Sequence, residues 1–317
     1  MPRLEVTSKF CLALAASMFL FMSGISLPPL GVILLPFVAQ PVLWFGFKFG
    51  IGGGLTVLGV AFLLFMVLAG QELAFIYGLF AVMAGLLLAL LGRLRVIEYL
   101  VGSIAGVMLT MAAGLSLYFY GSWAMMYADL RTSLTQQLES AVRVQEKMGL
   151  SQESLELLKE QAPQIVEMML RLLPALLFLS FALVVLINIL YVGRRFPERR
   201  EQWFSLPFLR EWKSPEPLVW GLIASGFVLF VPGFAGLRAV ALNVLLVIGA
   251  CYFAQGLAVI AFFFHKNNVP RFLRGLTYVL IIFQQIFTLL VVGLGLFDLW
   301  GDFRRLGKNN LTPSRAS

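Results

Sequence analysis

FCLALAASMFLFMSGISLPPLGVILLPFVAQPVLWFGFKFGIGGGLTVLGVAFLLFMVLAGQELAFIYGLFAVMAGLLLALL, residues 10–91, is four long apolar stretches in a row, broken only at Pro28-Pro29, Lys48-Phe49-Gly50 and Gly70-Gln71-Glu72. A helix needs roughly 20 apolar residues to cross the hydrocarbon core of a bilayer, and each stretch is near that length. The run therefore reads as four membrane helices joined by tight turns. Composition agrees: with 60% apolar residues, 13% charged residues and a mean hydropathy of +0.90, a chain of 317 residues has no polar surface to offer water.

Working outward, further apolar segments follow at 97–120, 170–192, 217–234, 237–264 and 272–297. The expectation is nine crossings, or eight if one of the proline-containing early pair does not traverse fully. No strand alternation recurs, so the predicted class is all-α: a polytopic transmembrane helical bundle with eight or nine membrane helices and an extramembrane helical hairpin. Arg3 and Lys9 ahead of the first stretch imitate a signal peptide. No Ala-x-Ala cleavage site precedes Ser26-Leu27-Pro28-Pro29, however, and the segment is expected to be retained. The chain divides into a bundle of about five helices at 1–121, a polar hairpin at 122–170, about four helices at 171–300 with a basic loop at 193–216, and a basic tail at 301–317.

Lysine and arginine set the orientation. With a cytoplasmic N-terminus, that side holds Arg3, Lys9, Lys48, Arg93, Arg95, the pairs Arg194-Arg195 and Arg199-Arg200, Arg210, Lys213, Lys266, Arg271 and Arg274. Of the dense basic clusters only the tail, with Arg304, Arg305, Lys308 and Arg315, falls outside on an odd count. A net charge of +8 is what this bias and anionic lipid headgroups produce. The basic residues sit as juxtamembrane pairs and not along one face, so nucleic acid is not an expected partner. The predicted location is a bacterial cytoplasmic membrane.

In the polar insertion, Leu130, Leu134, Leu138, Ala141 and Met148 recur at helical spacing. Gly149 is a stop signal, and Ser151 caps a second arm through Leu155, Leu158, Ile165 and Met169. That arm is expected to run on into the membrane helix near Leu170, with Pro163 or Pro174 as a bend. The hairpin then lies on the external face as a lid, a spacer or a docking arm. The loop at 193–216 interleaves arginines with Trp203, Phe204, Phe208 and Trp212, which suits a segment in the headgroup layer.

Glycines four apart, Gly46, Gly50 and Gly54, then Gly102 and Gly106, are candidate helix-packing positions, because small residues let two backbones approach. Polar groups at depth are the better pointers to function, since an unpaired one in hydrocarbon is costly. They are Gln40, Asn188, Asn243, Gln255, Gln284 and Gln285, each either an interhelical hydrogen bond or a ligand contact, with Glu98 and Asp298 near helix ends. An interhelical hydrogen bond is the expected role of each; the alternative is that Gln255, Gln284 and Gln285, on neighbouring C-terminal helices, converge on a small polar ligand, with Asn243 a weaker candidate. Cys11 and Cys251 lie in apolar segments and offer no disulfide framework. His265 stands alone, short of the several close ligands zinc wants. No phosphate loop, zinc-protease helix or nucleophile elbow is present. Neither enzyme activity, nor a metal, nor a cofactor is expected.

Trp203-Phe204-Ser205-Leu206-Pro207, Pro217-Leu218-Val219-Trp220, Asn243, Tyr252-Phe253-Ala254-Gln255-Gly256-Leu257-Ala258-Val259 and Gly293-Leu294-Gly295-Leu296-Phe297-Asp298 resemble the bacterial YybS-like membrane proteins, a domain-of-unknown-function family, over nearly all of residues 8–306. That family is loosely similar to the S components of energy-coupling factor transporters, which bind substrate and dock a coupling partner through a four-spaced alanine pair on the first helix. The matching positions here are Ala13 and Ser17, a departure from that pair. The resemblance implies a small-molecule binding or transport subunit that works with membrane or ATPase coupling subunits. The alternative is a non-transporting scaffold that recruits envelope or cytoplasmic partners through the hairpin and the basic loop.

Overall fold

The computed structural model describes residues 3–94, 96–148, 152–203, 209–231 and 235–304. Gly149, Ser151, Arg95, Phe204, Phe208, Arg305, Lys308 and Arg315, which figure in the sequence reading, lie outside the described residues. The chain forms two compact units, residues 1–205 and 206–317, and among the described residues its regular structure is helical.

The first unit opens with α1 (Arg3–Ser26), α2 (Pro28–Leu34), a single tight turn at Leu35–Phe37 and α3 (Gln40–Phe49). Then come α4 (Ile51–Leu68), α5 (Gln71–Leu90) and α6 (Ile97–Tyr120). Gly50 at φ 119° makes the one-residue link between α3 and α4, and Gly70 at φ 88° the two-residue link with Ala69 between α4 and α5, conformations that side chains with a Cβ resist. Such short links force sequential neighbours to pack, α3 on α4 and α4 on α5. α7 (Trp123–Lys147) starts at Ser122, whose hydroxyl accepts from the Met125 amide at 3.2 Å as an N-cap. α8 (Gln152–Arg195) is one 44-residue helix that carries Pro163 and Pro174 inside it. At ~1.5 Å per residue it is about 66 Å long, enough for both the second hairpin arm and a crossing. α9 is the turn Arg200–Trp203.

Inside this unit, Val42, Leu43, Phe45, Leu87, Leu100, Ile104 and Ile189 form the main core. Phe21, Phe65 and Tyr77 stack edge-on at 5.0 and 5.3 Å from the Phe21 ring. The outer faces stay apolar: Phe19 is 70%, Val32 82% and Val67 81% exposed. Apolar exposure on this scale around a bundle is a lipid-facing surface, not a water-facing one.

The second unit holds α10 (Leu218–Phe230), α11 (Ala235–Lys266), α12 (Arg271–Phe283) and α13 (Gln285–Gly301). The α11–α13 crossing is the closest helix contact in it. A Cβ added at Gly256 would fall on the Val291 carbonyl oxygen, and one at Gly295 on that of Tyr252. These two positions pair in antiparallel register.

Three expectations change. First, of the eight or nine crossings expected, the described residues hold eight if α12 and α13 form one broken span and seven single helices otherwise. α10 has 13 residues, about 20 Å against a core of about 30 Å, and α12 meets α13 at 105°. Second, the membrane part of α8 packs on α3, α6 and α7 in the first unit and is not grouped with the C-terminal helices. Third, Trp203 is not a headgroup anchor. It is 5% exposed, packed on Phe47 at 4.9 Å and against Gly92.

Candidate functional site

The six amides separate into three environments. Gln40, at the start of α3, donates through Nε2 to Asn188 Oδ1 on α8 at 2.8 Å. Asn188 Nδ2 in turn donates to the carbonyls of Pro36 and Val184, each at 2.8 Å. This ties α8 to the irregular turn ahead of α3 and satisfies backbone groups that a broken helix leaves open.

Gln255, fully buried on α11, is the hub of a second network. Its Oε1 accepts from the Ser214 amide at 3.1 Å and from the Ser214 hydroxyl, and its Nε2 donates to Asp298 Oδ2 at 3.0 Å. The same oxygen of Asp298 accepts from Arg304 Nη2 at 2.7 Å, while Arg304 Nη1 donates to the carbonyls of Arg210 and Trp212. Gln284 and Gln285 do not join this network. They stand exposed at the α12–α13 break, where Gln284 adopts an extended backbone and the Thr288 hydroxyl takes up the Ile281 carbonyl at 2.8 Å. Asn243 bonds back to the Ala239 carbonyl of its own helix at 2.8 Å.

The glycines divide in the same way. Gly46 and Gly54 face each other, a Cβ at Gly54 coming within 3.0 Å of the Gly46 Cα. Gly50 serves the turn. Gly102 and Gly106 meet nothing within 4 Å, so four-residue spacing does not mark a close approach there. Ala13 and Ser17 both point inward, at 3% and 0% exposure. The Ser17 hydroxyl donates to the Val38 carbonyl at 2.9 Å and lies 3.1 Å from the Tyr77 hydroxyl.

What residue spacing misses is a groove of about 800 Å³ in the first unit. α1 contributes Leu12, Ala13, Ala16 and Leu20, the α3 region Phe37, Gln40, Pro41 and Trp44, and the end of α8 Tyr191, Val192, Arg195 and Phe196. One wall is small because Ala13 and Ala16 face it. The lining is apolar apart from Gln40, the Tyr191 hydroxyl and the Arg195 guanidinium. Arg195 is exposed and has no hydrogen bond or ion pair among the described residues.

Two more cations rest on rings of that lining. Lys48 Nζ is 5.1 Å from the Trp44 centroid, and the Arg199 guanidinium is 5.9 Å from that of Phe196. Arg199 Nη1 also donates to the Phe47 carbonyl at 3.1 Å. The groove is thus cationic where α3 and α8 end, carries Gln40 and Tyr191 beside Phe37, and is apolar along its α1 side at Leu12, Ala13, Ala16 and Leu20. A smaller hollow of about 480 Å³ in the α7–α8 hairpin is lined by Arg131, Glu167 and Arg171, of which Glu167 and Arg171 pair at 3.1 Å. There the Tyr127 hydroxyl donates to Glu167 at 2.7 Å, and that carboxylate raises the phenol above its ordinary value.

Residues 15–299 match the family model described as "Predicted membrane protein (DUF2232)". No curated protein and no solved structure matches the chain.

Proposed function

The chain belongs to the DUF2232 family of predicted membrane proteins, and from that premise we propose that it is a non-enzymatic binding or transport subunit that holds a small amphipathic molecule in the α1–α3–α8 groove. The observation that carries this reading is the groove itself. Its volume falls within the ~300–1,000 Å³ of ligand sites, and its lining is apolar with a few placed polar groups, as such sites require. The positive-inside pattern supports an orientation in a cytoplasmic membrane with the N-terminus and the cationic end of the groove inside.

The loose similarity of the YybS-like family to S components supports a substrate-binding role. It does not extend to their docking surface, since Ala13 and Ser17 are buried and any coupling subunit engages another face. Transport then depends on partner subunits that hydrolyse ATP.

Purification from native membranes in mild detergent, with mass spectrometry of small molecules and proteins, tests the proposal. The expected result is a stoichiometric small molecule that is lost from Ala16→Phe, a variant that fills the groove and lies apart from the Gln255 network. Recovery of envelope or cytoplasmic proteins with no small molecule, unchanged by Ala16→Phe, overturns it in favour of the scaffold.

A further inference from the structure

The cations around the groove have no counter-ion in its lining. Arg195 lines the mouth, exposed and with no hydrogen bond or ion pair among the described residues, and Lys48 and Arg199 sit over Trp44 and Phe196. The acidic residue of the adjoining turn at Pro197–Arg199 is Glu198, which is exposed and absent from the lining. Among the described side chains of these segments, Lys48, Arg195 and Arg199 stand against Glu198, which leaves the mouth positive.

Along α1, Leu12, Ala16 and Leu20 line an apolar channel about 12 Å long at ~1.5 Å per residue, room for part of an acyl chain, beside the lipid-facing exterior where Leu12 and Phe19 are exposed. A free phosphate would satisfy the cations and leave the channel without a partner. A neutral hydrocarbon would do the reverse. A phosphate held by arginine at a headgroup boundary, with a chain running inward from it, satisfies both.

We infer that the ligand of the groove is an anionic glycerophospholipid of the bilayer, its phosphate on Arg195 with Lys48 and Arg199 alongside, and part of one acyl chain along α1 toward Leu20. This rests on the groove being the binding site. It adds the substrate class and a lateral route of entry from the membrane.

The test places the full chain in bilayer nanodiscs of equal phosphatidylglycerol and phosphatidylcholine and identifies the lipid retained on release by native mass spectrometry. The wild type should retain phosphatidylglycerol preferentially. Arg195→Gln should cut that preference by about tenfold, the worth of one charge-assisted phosphate contact, while the total lipid retained persists and Arg195→Lys restores part of it. Equal retention of both lipids by the wild type, or an unchanged preference in Arg195→Gln, overturns the anionic-lipid assignment and leaves the groove reading standing. If Ala16→Phe retains as much lipid as the wild type, the groove is not the site and both inferences fall.

Discussion

Arg304 and Asp298 form an ion pair at 2.7 Å with both side chains fully buried. Taking two charges out of water costs several kcal/mol each, and here the return comes from Gln255 and the carbonyls of Arg210 and Trp212. The satisfaction is partial, because Asp298 Oδ1, Arg304 Nε and the Tyr252 hydroxyl have no partner among the described residues. Arg304→Leu or Asp298→Leu alone should therefore destabilise the second unit by about 3–5 kcal/mol, since each strands a buried charge. The double variant should recover much of that loss. Thermal unfolding in detergent checks this, and simple additivity of the two single losses would show that the charges are not coupled. The pair was not legible in the sequence. Asp298 reads as a helix-end carboxylate and Arg304 as one charge of a basic tail. Their separation of six fits no helical face and arises because Asp302 turns the chain back at φ 35°.

At the scale of the element, periodicity carried far where segments were long and uniform. α4, α5 and α6 lie where the apolar runs place them, and α8 continues from the hairpin into the membrane as its pattern implies. It failed at the α12–α13 break, because Phe283-Gln284-Gln285-Ile286 holds neither proline nor glycine, and an apolar run reads the same whether straight or bent by 105°.

Glycine spacing failed similarly, since an approach needs a glycine opposite a partner backbone, which one helix cannot reveal. Gly295→Ala should push α13 off the Tyr252 carbonyl and cost about 1–3 kcal/mol. Gly102→Ala, with open space before it, should be neutral or stabilise by up to about 1 kcal/mol through helix propensity alone. Melting temperatures of the two variants compared with the parent decide this. Equal losses would mean that α11 and α13 do not meet at these glycines.

For the whole molecule, composition was enough to identify the solvent, and the structure explains why it had to be. In a bilayer, lipid tails compete for apolar surface as well as any side chain does, so helices associate through close backbone contact and interhelical polar bonds. Gly256 with Gly295, Gly46 with Gly54, and Gln40 with Asn188 are those contacts. Three of the amides singled out by their depth, Gln40, Asn188 and Gln255, hold helices together through their hydrogen bonds. The groove was invisible in sequence because its walls come from residues near 12, 40 and 195, each an ordinary apolar or boundary position by itself.

Photocrosslinking in native membranes with a phospholipid that carries a diazirine in its acyl chain tests the central claim most directly. The account predicts adducts concentrated on peptides spanning residues 12–20, 37–44 and 191–196, and their loss in Ala16→Phe. Adducts spread over the lipid-facing surfaces of α4 and α5 with no enrichment at those three segments would contradict it.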